Sequence, residues 1–297
     1  MSRIKSLLKI RDLSPEDLSS IFKSATDFKK NRKNPSRFPL KGESWGLIFS
    51  KSSTRTRVSF EVAVRELGGS PMFLSAQDIQ LGRGEPIKDT ARVLGRMIHG
   101  AIIRTFAQQD VIDFASFSQI PTVNALTDEE HPCQILTDIF TFEEKRGSIK
   151  GKTVAFIGDA ACNVPRSWVF AAELLGFKLH LAAPEGYQST VGNRQTHFFT
   201  SPREAAQGAH LLYTDVWVSM GMESEAAARE KAFQGYQLNH ELLEIAAPDA
   251  LVMHCLPAYR GKEITEKLLE ERSQEIFDQA ENRLHVQKGI LDWLVTP

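Results

Sequence analysis

Short apolar runs recur along the chain, separated by stretches with helical periodicity. Eight runs predict buried strands, four in the first half at residues 45–49, 72–74, 101–103 and 121–123 and four in the second at 153–157, 179–182, 210–213 and 250–253. Buried strands that alternate with helices are typical of βαβ units, in which helices cover both faces of a parallel sheet. The pattern therefore predicts an α/β protein of two domains, each a parallel sheet flanked by helices.

Two longer patterns predict helices and a domain boundary. Apolar residues at 58, 62, 63 and 67, followed by Gly68-Gly69, predict a helix with a glycine stop. The pattern over 135–142 predicts an amphipathic helix that ends at the polar segment 144–147. We place the boundary there, so that residues 1–146 form the first domain and 147–275 the second. A final helix, about 276–297, is predicted to pack back and complete the first domain.

Polar side chains directly follow several of the predicted strands. Arg104 follows the run 101–103 in the first half, and Asp159, Asp215 and His254-Cys255 follow runs in the second half. Ligands of open parallel sheets bind beyond the carboxyl ends of the strands. These residues therefore predict a cleft between the two domains that accepts two substrates.

The segment Ser53-Thr54-Arg55-Thr56-Arg57 lies between a predicted strand and a predicted helix. Free backbone N–H groups and the positive end of the helix dipole point to the same place as its hydroxyls and guanidiniums. Arginine adds bidentate hydrogen bonding to phosphate. The segment predicts a phosphate site; the alternative is an ordinary N-cap followed by arginines that face solvent.

Composition excludes several classes of protein. A net charge of −1 argues against a nucleic-acid-binding protein, and no apolar run reaches the length of a membrane span. The first residues lack the apolar core of a signal peptide. The three cysteines, Cys133, Cys162 and Cys255, make neither a disulfide framework nor a zinc motif. We expect a cytoplasmic protein with reduced thiols, bound neither to nucleic acid nor to a membrane.

Other candidate residues also have a structural explanation, and the sequence does not decide between the two. His131, before Pro132, is placed to donate to a carbonyl oxygen or to serve a structural role. Asp215 is placed to hold an ammonium group or to form an Asx-turn. His254 and Cys255 are adjacent on a strand and point to opposite faces, which argues against a nucleophilic dyad. The segment 158–163 lacks the glycine pattern of a dinucleotide site.

Four motifs together resemble the aspartate/ornithine transcarbamylase family over essentially the whole chain. They are Ser-Thr-Arg-Thr-Arg at 53–57, His-Pro-Cys-Gln at 131–134, Asp-Val-Trp-Val-Ser-Met-Gly at 215–221 and His-Cys-Leu-Pro at 254–257. The last two point to ornithine as the amine substrate. The resemblance implies a cytoplasmic enzyme of arginine metabolism that converts carbamoyl phosphate and L-ornithine to L-citrulline and phosphate. It also implies a tetrahedral intermediate, with no cofactor, metal or covalent enzyme intermediate.

The resemblance also implies roles for individual residues. Carbamoyl phosphate would be bound by Ser53, Thr54, Arg55, Thr56, Arg104, His131, Gln134, Cys255, Leu256 and Arg283, with Arg57 nearby. Ornithine would be bound by Asn163, Asp215, Ser219 and Met220, and the catalytic residues would be Arg104, His131 and Cys255. The family implies a homotrimer in which a loop of the neighbouring subunit, with Gln80, Arg83 and Lys88, completes each site.

One segment departs from the family pattern and bears on the amine. Where relatives commonly carry two adjacent asparagines, this chain has Cys162-Asn163, followed by Val164-Pro165-Arg166. We expect Asn163 to serve ornithine and Arg166 to turn to solvent; the alternative is that Arg166 reaches the substrate and selects a more acidic, modified ornithine.

Three further functions compete with transfer to ornithine. A transcarbamylase for aspartate, putrescine or an acylated ornithine would keep the chemistry and change the amine. A non-catalytic regulatory homologue would keep the fold and lose the reaction. A dinucleotide-dependent dehydrogenase is disfavoured by the missing glycine pattern.

Overall fold

The computed structural model describes residues 4–75, 84–219 and 221–296. The described residues of Met1–Leu136 and Asn282–Pro297 form one compact unit, and Thr137–Glu281 form a second. The division falls within two helices, α5 (Pro132–Arg146) and α11 (Ser273–Val295). The predicted boundary at residue 146 coincides with the end of α5, ten residues after the division between the units.

The first unit is built on a parallel sheet of four strands in the order β2-β1-β3-β4. The strands are β1 (Ser44–Phe49), β2 (Ser70–Ser75), β3 (Gly100–Arg104) and β4 (Thr122–Leu126). The helices are α1 (Pro15–Lys30), α2 (Thr54–Glu66), α3 (Ile87–Leu94) and α4 (Gln108–Ser118), with the first residues of α5 and the last part of α11. Because β1 and β3 are central and parallel, the segments that follow them emerge side by side.

The second unit is built on a parallel sheet of five strands in the order β7-β6-β5-β8-β9. The strands are β5 (Thr153–Ile157), β6 (Lys178–Ala182), β7 (Thr196–Phe199), β8 (Leu211–Thr214) and β9 (Leu251–His254). Its own helices are α6 (Asn163–Leu175), α7 (Pro202–Ala206), α8 (Ala226–Ala232), α9 (His240–Ile245) and α10 (Glu266–Glu271). The sheet order changes direction at β5, so the segments after β5 and β8 lie next to each other.

The predicted fold class is confirmed, and each of the eight predicted strands is present. The helix predicted over 58–67 runs from Thr54 to Glu66, so it begins inside the predicted phosphate segment. Strand β7 was missed. It lies at the sheet edge with exposed residues at His197 and Phe198, and only two of its four residues, Phe198 and Phe199, are apolar, which is too short a run to predict a strand.

No helix among the described residues is both long enough and apolar enough to span a membrane.

Candidate active site

The N-terminus of α2 presents the predicted phosphate segment. Ser53 is the N-cap, and its side chain accepts a hydrogen bond from the Thr56 N–H at 3.3 Å. Thr54 and Arg55 are both exposed at the positive end of the helix dipole. Arg57 is engaged elsewhere, because its Nε donates to Glu61 and its guanidinium lies 3.6 Å from the centre of the Phe73 ring. The N-cap role is therefore correct for Ser53, and it leaves the helix end open to an anion.

Arg283 of α11 reaches the same helix end. Its Nη2 donates to Thr56 Oγ1 at 2.6 Å, and both side chains are buried, at 3% and 1% exposure. The two residues are 227 positions apart in the sequence. Folding thus adds a buried guanidinium to the hydroxyls and main-chain donors of the 53–57 segment.

Arg104 ends β3, where it pairs in register with Phe49 at the end of β1. Its carbonyl accepts a hydrogen bond from the Ser50 N–H at 2.8 Å, which ties it to the segment that leads into α2. The Arg104 side chain is buried, with 8% exposure. The sequence expectation that Arg104 stands at the carboxyl end of a strand is confirmed.

His131 immediately precedes α5, and its carbonyl accepts from the N–H groups of Gln134 and Ile135 at 3.1 and 3.3 Å. Its side chain is buried, as is that of Gln134. Burial, followed by repulsion from the guanidiniums of Arg283 and Arg104, holds the pKa of His131 well below its usual value of 6.5. A neutral imidazole donates one hydrogen bond and adds no charge, which suits contact with a carbonyl oxygen.

Lys51 connects the three segments that carry these residues, and sequence reasoning missed it. Its ammonium pairs with Asp128 in the segment between β4 and His131, and lies 4.4 Å from the centre of the Phe106 ring, two residues beyond Arg104. The Asp128 N–H donates to the Phe106 carbonyl at 2.8 Å. Lys51 itself is two residues before Ser53. One buried lysine therefore holds together the ends of β1, β3 and β4.

In the second unit, Asp215 and Cys255 follow the neighbouring strands β8 and β9 and are in contact. The Cys255 thiol donates to Asp215 Oδ1 at 2.8 Å, and the same oxygen accepts from the Val216 N–H at 2.7 Å. Burial raises the pKa of Asp215. Burial and the neighbouring Asp215 carboxylate raise the pKa of Cys255 well above its usual value. Cys255 is therefore a neutral hydrogen-bond donor, since a nucleophilic cysteine needs a lowered pKa.

His254 lies close to this pair and makes its own hydrogen bonds to other groups. Its Nε2 lies 3.1 Å from Glu263 Oε1, and its Nδ1 accepts from the Leu256 N–H at 2.8 Å. His254 and Glu263 are both fully buried. The acceptor role of Nδ1 places the ring proton on Nε2, so the ring donates to Glu263. The pair holds Leu256, whose φ is 59°, directly after Cys255.

Asp215, His254 and Cys255 also offer metal-ligand atoms within 4.8 Å of one another. Both His254 nitrogens and the thiol are already committed to the hydrogen bonds just described. The chemistry of the group is thus that of a hydrogen-bonded network with the thiol as donor.

A buried ion pair joins the segments after β5 and β8. Gly158, at φ 143°, turns the chain after β5, and Asp159 follows with 3% exposure. Arg229 of α8, with 6% exposure, donates from Nη1 to Asp159 Oδ2 at 2.7 Å and to the Trp217 carbonyl at 3.2 Å. Its Nε donates to Glu225 at 2.9 Å. Asp159 was predicted from its strand end, but Arg229 was missed, because a lone arginine in a polar helix gives no signal of its partners.

The departing segment 162–166 forms the start of α6. Cys162 is the N-cap residue, its thiol donates to the Asp159 carbonyl at 3.2 Å, and burial raises its pKa well above the usual value. Asn163 is half-buried at the first helical position. Arg166 is also half-buried, and its Nε atom is buried, so the expectation that it turns to solvent is wrong. Ser219 is half-buried in a turn, where its carbonyl accepts from the Met222 N–H at 3.0 Å.

Three of the predicted residues, Gln80, Arg83 and Met220, lie outside the described residues. Lys88 lies on α3 and is exposed. Its contribution to a neighbouring subunit stays a prediction, as do the individual roles of the other site residues.

Comparison with known proteins also divides the chain into two domains. Residues 5–144 match the carbamoyl-P binding domain of aspartate/ornithine carbamoyltransferases, and residues 150–294 match the Asp/Orn binding domain. The chain belongs to the aspartate/ornithine carbamoyltransferase family. The resemblance drawn from the four motifs is therefore confirmed.

Individual relatives are similar over nearly their whole length. The ornithine carbamoyltransferase of Akkermansia muciniphila is 57% identical, with 97% of each chain covered. The anabolic ornithine carbamoyltransferase of Pseudomonas aeruginosa is 49% identical, covering 98% of this chain and 97% of the relative. The crystal structure of the enzyme from Burkholderia thailandensis has a TM-score of 0.90 at 42% identity, with 98% of this chain and 99% of that chain covered.

Proposed function

We propose that this chain transfers the carbamoyl group of carbamoyl phosphate to the δ-amine of L-ornithine, giving L-citrulline and phosphate. The observation that carries the proposal is the division of the candidate site residues between the two matched domains. The anion-seeking residues of the α2 N-terminus lie within the range matched by the carbamoyl-P domain. The buried carboxylate–thiol pair, Asp215 and Cys255, lies within the range matched by the Asp/Orn domain.

The phosphate of carbamoyl phosphate binds at the N-terminus of α2. Thr54 and Arg55 are exposed there, and Arg283 already donates to Thr56. Main-chain N–H groups and the helix dipole favour the negative charge, which grows as phosphate leaves. The arginines add charge-assisted hydrogen bonds.

The carbamoyl oxygen is held by Arg104 and His131, with Gln134 on the carbamoyl nitrogen side. The neutral state of His131, caused by burial and by two guanidiniums, makes it a donor to the carbonyl oxygen. As the tetrahedral intermediate forms, that oxygen gains negative charge, and preorganised donors then stabilise it more than they stabilise the substrate.

The amine substrate binds in the second unit. Asn163, Asp215, Ser219 and Met220 hold the α-amino and α-carboxylate groups, and Cys255 with the main chain at Leu256 faces the reacting end. An ammonium has no lone pair, so the δ-amine must lose its proton before it attacks. Because burial and Asp215 keep the Cys255 thiol neutral, the thiol orients the amine and does not form a covalent intermediate.

A second candidate substrate is an ornithine that carries an added acidic group. The half-buried position of Arg166, one turn beyond Cys162 on α6, supports it. A guanidinium held near the amine-binding segment favours a carboxylate. Arg166→Ala would leave the KM for L-ornithine unchanged if ornithine is the substrate, and would raise the KM for the acidic derivative if that is the substrate.

We further propose a cytoplasmic homotrimer in which Gln80, Arg83 and Lys88 of each subunit serve the site of its neighbour. The support is the family resemblance, together with the exposed position of Lys88 on α3.

The deciding experiment measures ureido product from carbamoyl phosphate with L-ornithine, N-acetyl-L-ornithine, putrescine and L-aspartate, each tested alone. Turnover with L-ornithine alone is the expected result. Preference for another amine would keep the transfer chemistry and change the assigned substrate. The 162–166 segment would then account for the altered specificity. Absence of product with all four would contradict the proposal and favour a non-catalytic homologue.

A further inference from the structure

A buried lysine lies on α11 five positions after Arg283. Lys288 has 2% exposure, and its ammonium pairs with the carboxylate of Glu66, the last residue of α2. The other oxygen of Glu66 accepts from Arg32 Nε and Nη2 at 3.1 and 2.9 Å. The Glu66 carboxylate therefore binds two cationic side chains, one from α11 and one from the segment that follows α1.

Stability alone does not account for this pair. Burial lowers the pKa of Lys288, whereas hydrogen bonds from Lys288 and Arg32 outweigh burial and lower the pKa of Glu66. Taking the Lys288 charge out of water is costly, and a hydrophobic side chain of similar volume is often as stable at such a position. The best-attested use of a buried ion pair is to fix register, because it forms at only one position of one helix along another.

Two polar contacts fix α11 on α2. Thr56 lies near the N-terminus of α2 and contacts Arg283, while Glu66 ends α2 and contacts Lys288. From the helical rise, the ten residues from Thr56 to Glu66 span about 15 Å and the five from Arg283 to Lys288 about 7.5 Å. Two separated points set both the axial position and the crossing of the helices.

Independent contacts fix α11 on α1. A Cβ at Gly289 would lie 2.3 Å from the Ile21 carbonyl oxygen, so the helices approach closely there. Lys29 Nζ donates to Asn282 at 2.8 Å, and the buried Asp292 accepts from Ser24 of α1 at 2.7 Å and pairs with Arg37 in the segment after α1. Loss of the Lys288 contact therefore removes one of the two polar contacts that hold α11 on α2, while the α1 side stays packed.

We propose that the Lys288–Glu66 ion pair is a positioning device that sets α11 on α2 and thereby places the Arg283 guanidinium at the phosphate end of the site. The inference rests on the proposed function, because it assigns Arg283 to carbamoyl phosphate.

The test uses the full-length enzyme with Lys288→Met, which keeps the length of the side chain and removes the charge. A displaced Arg283 should raise the KM for carbamoyl phosphate about tenfold, since small misplacements of binding groups are costly. The KM for ornithine should not change, and Lys288→Arg should restore the KM for carbamoyl phosphate. Asp292→Asn is the matched control, because it removes a buried charge from the same helix on the α1 side; it should lower Tm and leave both KM values unchanged.

Protection against thermal unfolding by inorganic phosphate separates the inference from the proposed function. Phosphate should raise the Tm of the wild type and of Asp292→Asn, and should raise that of Lys288→Met less, whichever amine is the substrate. Equal protection of all three, with an unchanged KM for carbamoyl phosphate, would overturn the inference. If Lys288→Met does not fold, Glu66→Gln breaks the same pair and is held to the same two outcomes.

Discussion

Single residues stabilise the negative charge that develops during carbamoyl transfer, and a variant of Arg104 gives the most direct test of this role. It is buried at the end of β3, where the main chain holds it through Ser50. Arg104→Ala should lower kcat roughly a hundredfold, about 3 kcal/mol, because a preorganised donor to the oxyanion is lost. Arg92→Ala is the control, since Arg92 is an exposed arginine of α3 paired with Asp89. Similar kcat values for the two variants would remove Arg104 from the mechanism.

His131 should also make stability depend on pH. Its pKa is depressed in the folded protein, so the unfolded chain binds the proton more tightly. The contribution of neutral His131 is therefore fully present above pH 6.5 and is lost as pH falls from 6.5 towards the folded pKa. His131→Asn should reduce the fall in unfolding free energy between pH 6.5 and 5.5 by at most about 1.4 kcal/mol.

Urea unfolding of the wild type and His131→Asn at several pH values makes this measurement. The difference between the two proteins matters, because burial also lowers the pKa values of His180 and His210. Parallel pH curves would mean that the pKa of His131 is the same in the folded and unfolded protein, against the depressed pKa on which its proposed role as a neutral donor rests.

At the scale of elements, Arg229 fixes the two segments assigned to ornithine. It bonds Asp159, four residues before Asn163, and the Trp217 carbonyl, two residues before Ser219. Arg229→Met should raise the KM for ornithine and leave the KM for carbamoyl phosphate unchanged. It should also cost about 3–5 kcal/mol of stability, because Asp159 is left buried and unpaired.

Asp159→Asn with Arg229→Met removes both charges and supplies the control. The double variant should recover most of the lost stability while its KM for ornithine stays high, because the link to Trp217 is still missing. Recovery of both quantities would show that the ion pair stabilises the unit without positioning the substrate segments. Steady-state kinetics and urea unfolding measure the two.

Strand prediction from the sequence succeeded where a strand carries a continuous apolar run and failed where it does not. Strands such as β5 lie inside the sheet and carry continuous apolar runs, whereas the edge strand β7 exposes His197 and Phe198 and gave no run. Strand ends identified Arg104, Asp159 and Asp215. Lys51 and Arg229 escaped because their partners, Asp128 and Asp159, lie 77 and 70 residues away. Arg283 was identified only through the resemblance, since no pattern in the sequence of α11 indicates its contact with Thr56.

At the scale of the molecule, the proposed trimer predicts that mixing two inactive variants restores activity. If each site uses Arg55 of its own subunit and Lys88 of a neighbour, Arg55→Ala and Lys88→Ala are each inactive for a different reason. When the two are mixed, an intact site forms wherever a Lys88→Ala subunit receives Lys88 from an Arg55→Ala neighbour. Random assembly from equal amounts places such a neighbour at about a quarter of the sites of a cyclic trimer.

After the two inactive variants are unfolded and refolded together, we therefore expect about a quarter of wild-type activity. Cyclic symmetry gives each site one fixed neighbour. Each variant refolded alone is the control for recovered native activity. Sedimentation shows whether trimers form in every sample. Trimers without activity in the mixture would mean that Lys88 acts within its own subunit, since no hybrid then restores a site. Activity in a monomeric sample would instead mean that one chain holds every group the reaction needs.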